Sequence, residues 1–306
     1  MRTLRALAFA CAALVIAITT LSAYIRLSRT GLGCEPWPQC YAAQALRTAS
    51  MDTGAIGAAR IAHRVSASAV LVVIIAALMI ALARNPSMRR QGRWVLWLLG
   101  LAAFLAAFGR ATADSLLPAV TLGNLLAGLV MFAVACAFVR STRQPGPADL
   151  AGHRGLSVSR PLSSWAWLAA ALLLLQIALG GLVSSAHAGM SCPALAACPM
   201  EGGSWSLFNP FHAAAEPAQP LNPAGSLLHM AHRIGGLVVS LVLVALGLAA
   251  WRGGRRRAGV LLVVLPLIQI GAGVLLVSAG LPLALALAHN VIAAMLLATT
   301  SFLLDG

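Results

Sequence analysis

The chain has 306 residues, 60% of them hydrophobic and only 9% charged. A soluble domain carries roughly 25% charged residues, so a water-soluble globular fold is excluded. The formal net charge is +14, from 21 basic and 7 acidic residues, and every basic residue is arginine. So basic a balance raises nucleic acid as a partner. However, the arginines sit in short clusters between apolar runs, and aromatics are sparse and not interleaved with them. That is the positive-inside pattern of a membrane protein, and nucleic acid is set aside.

Eight apolar runs follow in chain order, near 6–25, 58–83, 93–113, 118–139, 165–186, 226–250, 258–278 and 283–303. Each is long enough to cross about 30 Å of hydrocarbon. Hydrocarbon offers the backbone no hydrogen-bond partner, so each is expected to be helical. The third is the weakest, with Arg110 and Asp114 at its end. The first, preceded by Arg2 and Arg5, has the outline of a signal peptide. It is read as a retained helix, because eight spans bring both termini to one side.

Arginine orients the spans. One side takes Arg2, Arg5, Arg84, Arg89, Arg90, Arg93, Arg140, Arg143, Arg154, Arg160, Arg252, Arg255, Arg256 and Arg257. The other takes Arg26, Arg29, Arg47, Arg60 and Arg110, while Arg64 and Arg233 lie just inside helices. The richer side is cytoplasmic. Both termini are therefore expected inside, and the long loops near 26–57 and 187–225 outside.

The chain repeats itself. Gly31 to Cys34 and Cys40 match Gly189 to Cys192 and Cys198. Ala62-His63-Arg64-Val65 matches Ala231-His232-Arg233-Ile234. Leu117-Pro118 leads to Gly123-Asn124 as Leu281-Pro282 leads to His289-Asn290. Three motifs in one order predict an all-α membrane protein of eight transmembrane helices in two pseudo-symmetric four-helix bundles. Their bounds are 1–139 and 165–306, joined by a cytoplasmic linker at 140–164.

Cys34/Cys40 and Cys192/Cys198 fall in the outward loops, where oxidation is permitted. Structural disulfides are the leading reading of the two close pairs. A redox-active dithiol and a metal site remain as alternatives, the second weakened because the first loop has no further ligand at suitable spacing. Cys11 and Cys136 lie within spans and read as core residues.

A histidine inside a span is a functional candidate by default, with a hydrogen-bonded interhelical residue as the competing reading. His232 and His289 each lie about six residues into their spans, ~9 Å deep on the same side. Two neutral imidazoles facing each other across a bundle can supply both axial ligands of a heme iron. Gly235, Gly236, Gly271 and Gly273 would admit a flat macrocycle or serve ordinary helix packing. His63 lies at the matching depth, but its partner position holds Gly123, followed by Asn124. Arg64 and Arg233 are candidate propionate partners, or snorkel to the interface; Arg26 and Arg29 have the same two readings. His229, three residues before His232, is a candidate propionate donor or a surface residue. His187, His212 and His153 are expected in loops. No paired carboxylates, phosphate loop or Ser/His/Asp set accompanies these residues, so hydrolysis and nucleotide-driven transport lack support.

These residues resemble the heme A synthase family, membrane enzymes of cytochrome oxidase biogenesis. The resemblance runs through Arg26 to Cys40 (RLSRTGLGCEPWPQC), His63-Arg64, Gln176 to Val183 (QIALGGLV), His232 to Gly236 (HRIGG) and His289-Asn290. It implies a heme b held by His232 and His289 in the second half. It also implies that the first half, with His63 on the substrate iron as its catalytic residue, oxidises a ring methyl of heme O to the formyl group of heme A. The outer-loop cysteines would be disulfide-bonded. The setting would be a bacterial cytoplasmic (inner) membrane with the cysteine loops periplasmic. Heme O synthase, cytochrome oxidase assembly proteins and membrane lipid would be the partners. The chain departs from the family at Arg60, where a Glu is usual, and at Gly123, where a second His is usual. The alternatives are a non-catalytic heme-binding or electron-transfer membrane protein and, further off, a small-molecule transporter.

Overall fold

A computed structural model describes residues 2–29, 32, 54–84, 88–112, 115, 117–143, 160–194, 198–212 and 222–304. Eight long helices account for most of them: α1 (Arg2–Arg29), α2 (Gly54–Ala83), α3 (Arg89–Ala111), α4 (Pro118–Ser141), α5 (Arg160–Ser185), α6 (Ser226–Arg252), α7 (Arg256–Ser278) and α8 (Leu283–Ser301). No strand occurs among the described residues. All eight helices are long and apolar enough to cross a membrane, and the chain is an all-α, multi-pass membrane protein.

The helices overrun the apolar runs, chiefly at their ends. α1 begins at Arg2 and ends at Arg29, and α2 begins at Gly54 rather than near 58. Hydropathy marks where the chain meets hydrocarbon, but the i→i−4 ladder continues into the interface. There the arginine heads reach water while their stems stay apolar. Pro118 opens α4 at its first turn, where its missing N–H is one the helix leaves unpaired anyway. Pro266 lies inside α7, as spans tolerate when neighbours cover the freed carbonyl.

Large apolar side chains such as Val72, Trp97 and Leu241 are more than 60% exposed, as expected where lipid is the solvent. The interior is built with small residues. α6 and α7 cross at Gly247 and Gly259, where a Cβ on either would come within 3 Å of the other's backbone oxygen. Such contacts let two helices gain dispersion energy that larger residues would forbid.

Neighbours in sequence are neighbours in space. Within 2–141, α1 packs on α2, α2 on α3, α3 on α4 and α4 back on α1. The later helices repeat this order: α5 packs on α6, α6 on α7, α7 on α8 and α8 on α5. Contacts between the two sets run through α4 with α5 and α8, and through α1 with α8. At the arginine-rich end, Arg140 donates to the Phe302 carbonyl at 2.7 Å and lies over the Phe302 ring. At the other end, the backbone N–H of Ala119 donates to the Pro210 carbonyl at 2.8 Å. The loop after α5 thus reaches the start of α4. The expected Cys34–Cys40 pair and most of the 140–164 linker lie outside the described residues.

Candidate functional site

A 3-10 turn (Pro223–Gly225) leads directly into α6, so His232 follows Pro223 by the same nine positions that separate His63 from Gly54. The first turns of α2 and of the α6 segment are therefore in register. His289 lies six residues after the start of α8. α6 and α8 share both α5 and α7 as neighbours. His232 and His289 thus lie on two helices that are held between the same pair of neighbours.

Gln176 of α5 donates its amide to the His232 carbonyl at 2.7 Å, and the same amide nitrogen lies 2.9 Å from Nδ1 of His232. Nδ1 of His289 is buried with no partner among the described residues. The side-chain oxygens of Gln176 and Gln269 are buried in the same state. Unpartnered buried polar atoms are costly, and each calls for a partner that the described residues do not supply.

The space around the rings is carved by glycine. A Cβ on Gly180 would lie 2.8 Å from Cε1 of His232, so the α5 backbone is the wall against which that ring lies. A Cβ on Gly235 would meet Oε1 of Gln176 at 2.5 Å. Gly273 of α7 faces the His289 ring, at 3.4 Å from a hypothetical Cβ. No group of three or more His, Cys, Asp or Glu side chains capable of holding a metal ion occurs among the described residues. Two imidazoles are too few to hold a bare ion in a tetrahedral or octahedral shell. They match the two axial positions that a porphyrin leaves on its iron. The residues therefore fit a heme.

His229 and Arg233 lie one turn apart on α6 and meet the cysteine loop. Cys192 and Cys198 are disulfide-bonded, with Cα atoms 4.5 Å apart. The Cys192 backbone N–H donates to Nδ1 of His229 at 3.3 Å. Arg233 donates through Nη1 to the Ala194 carbonyl at 2.9 Å and through Nη2 to the Cys192 carbonyl. Its Nε is 3.3 Å from Nε2 of His229. His229 is only 3% exposed, and its place is beneath the loop and not on the surface. The residues flanking His232 thereby fasten the disulfide loop to the helix that carries it. His187, outside the spans, has a positive φ of 53°, and burial lowers its pKa, favouring the neutral ring. His212 and Arg64 are exposed.

Arg26, near the end of α1, reaches across the molecule. Its Nη1 donates to Ser184 Oγ of α5 at 2.9 Å, and its Nη2 to Asn290 Oδ1 of α8 at 3.5 Å. Asn290 is the residue after His289, so a side chain of the first half braces the ligand helix of the second. In the first half, His63 is partly buried. Gly123 lies under the ring of Phe108, and a Cβ there would be 2.7 and 2.9 Å from two ring carbons.

Sequence reasoning assigned no role to Gln176, Gln269, Gly180 or Phe108. A signal for the glutamines existed: Gln176-Ile-Ala-Leu-Gly and Gln269-Ile-Gly-Ala-Gly are uncharged polar residues at matching places inside two spans.

The fold and site define a polytopic helical membrane protein with histidines inside its spans on helices that pack around common neighbours. The chain matches the COX15-CtaA family model, described as cytochrome oxidase assembly protein, over residues 5–301, and it belongs to that family. It is also 28% identical over 307 aligned positions to a protein named heme A synthase from Shewanella oneidensis, covering 92% of this chain and 90% of that one.

Proposed function

We propose that this protein acts in heme A biosynthesis by oxidising a ring methyl of heme O to a formyl group. In this reading residues 1–139 and 165–306 are two four-helix units joined by a cytoplasmic linker at 140–164. The first holds the heme O substrate and releases heme A. The second holds a resident heme b on His232 and His289. The enzyme lies in a bacterial inner membrane with both termini cytoplasmic and the cysteine loops periplasmic, where heme O synthase and oxidase assembly proteins are its neighbours.

The observation that carries the reading is the His232/His289 pair, two imidazoles on helices that share α5 and α7 as neighbours, with Nδ1 of His289 buried and unpartnered among the described residues. Membership of an oxidase-assembly family and similarity to a protein named heme A synthase supply the substrate. A heme held by two imidazoles supplies single electrons by cycling between ferric and ferrous iron. The chain's own residues do the rest. Gln176 orients His232, Gly180 lets its ring lie against α5, and Arg26 braces α8 beside His289. His63 positions the substrate iron and Arg64 serves its propionates, while Arg233 and His229 are committed to the cysteine loop.

Heme extracted from cells co-expressing this chain with a heme O synthase should contain heme A, identified by its mass and its formyl-shifted pyridine spectrum. Heme O alone would sink the enzymatic reading. One observation favours a second reading, a non-catalytic heme carrier in oxidase assembly. The first half has Asn124 against Gly109 where the second half has His289 against Gly273, an amide in place of an imidazole. A two-imidazole heme spectrum without heme A would support it.

A further inference from the structure

Arg26 and Ser184 are the same position of the repeat. Gly31 and Gly189, Cys34 and Cys192, and Cys40 and Cys198 are each 158 positions apart, and so are Arg26 and Ser184. Arg26 lies in the last turn of α1 and Ser184 in the last turn of α5. The two side chains touch, Nη1 to Oγ at 2.9 Å. In units related by a twofold, a position meets its own counterpart only beside the axis. The contacts between the two helix sets agree with such an axis. It would exchange α1 on α8 with α5 on α4, and it would carry α4 on α8 onto itself.

A guanidinium at that place does what a serine does not. Arginine in both repeats would set two cations within hydrogen-bonding distance, and only the first repeat carries one. Its fork reaches two neutral oxygens, Ser184 Oγ and, at 3.5 Å, Asn290 Oδ1. None of the seven acidic residues lies in any of the eight helices. The helices therefore supply no counter-charge, and Arg26 is partly buried, where salt screens a charge less than it does in open water. Asn290 directly follows His289 on α8. Two side chains and one step of backbone separate the guanidinium from the His289 ring, a path of about 15 Å at most.

We infer that Arg26 tunes the second half from the first: its charge raises the reduction potential of the heme held by His232 and His289. The inference rests on the reading of those two histidines as heme ligands. A cation favours the iron state that holds one more electron. Across ~15 Å at an effective dielectric near 20, that attraction favours reduction about fivefold. The halves are thus coupled by a charge as well as by packing.

The test loads the full-length protein with protoporphyrin IX iron and follows its low-spin optical band through a redox titration. Arg26→Gln keeps a donor for Ser184 or Asn290 and removes the charge. It should lower the midpoint by about fivefold in the reduction equilibrium, ~40 mV at 59 mV per tenfold for one electron. Arg26→Lys keeps the charge without the fork and should keep most of the wild-type midpoint. Ser184→Asp leaves Arg26 in place and neutralises it, and should lower the midpoint as Arg26→Gln does, including where Arg26→Gln assembles poorly. The inference is overturned if either neutralising variant keeps the wild-type midpoint. It is also overturned if Arg26→Lys falls as far as Arg26→Gln, the result of a purely structural brace. A wild type in which no low-spin heme depends on His232 removes the ligand reading itself, and the inference with it.

Discussion

The two halves use one plan to opposite ends. In the second, Gln176 engages the His232 ring, Nδ1 of His289 is buried without a partner among the described residues, and a disulfide loop is bonded to the turn beside His232. In the first, Asn124 meets Gly109 on the neighbouring helix as His289 meets Gly273, and Phe108 covers Gly123 one residue earlier. The two crossings thus keep a glycine on one helix while the side chain that meets it changes from an amide to an imidazole. The lesson is that the frame is set by small residues and backbone contacts, and the chemistry by one or two side chains placed in it.

The comparison breaks most sharply at the ligands. His232→Ala should abolish the low-spin heme signal, whereas His63→Ala should leave it intact, as read by the reduced optical spectrum of the purified protein. If both variants lose it, the halves are not independent. Gln176→Leu comes next. It removes the amide beside Nδ1 of His232 at nearly constant volume, and loss of such a partner typically weakens a metal site by about 10-fold or more. Heme titration should show this in the second half only, with a shift in the midpoint potential of the same heme. An unchanged potential and affinity would reduce Gln176 to a packing residue.

Smaller effects are expected at the loop. Replacing Cys192 and Cys198 together with serine opens a short ring, worth about 2 kcal/mol. The temperature at which the low-spin heme is released should fall, and reductant should bring the wild type to the same value. The smallest concerns His187. Its burial keeps the ring neutral in the fold, while an unfolded histidine takes a proton near pH 6.5. Between the lowered native value and that pH the unfolded chain binds more protons, so stability falls as pH falls through this window. His187→Asn, which tolerates the positive φ, should flatten that acid dependence of heme release by a few tenths of a kcal/mol.

The eight spans were legible because bilayer thickness imposes a length that hydropathy reports directly. The repeat motifs made the His232/His289 correspondence readable, since each residue sits a fixed distance inside its own helix. The Arg26 contact was not legible. Its two expected roles were local, whereas its partners are Ser184 and Asn290, and the repeat that sets Arg26 against Ser184 does not announce that the two touch. Arg233 was expected at a propionate or the interface. Its present partners are carbonyls of the cysteine loop, because the disulfide folds that loop back over α6.

By itself, then, the sequence determined the class of the protein and its span count, because hydrocarbon sets the length and apolarity of each helix that crosses it. Tertiary structure decided what each histidine faces. Gln176 finds His232 because α5 packs on α6 across Gly180 and Gly235. Phe108 meets Gly123 because α3 packs on α4. Contacts of this kind depend on interhelical approach within an ångström, which is set by packing and leaves no trace in hydropathy or spacing.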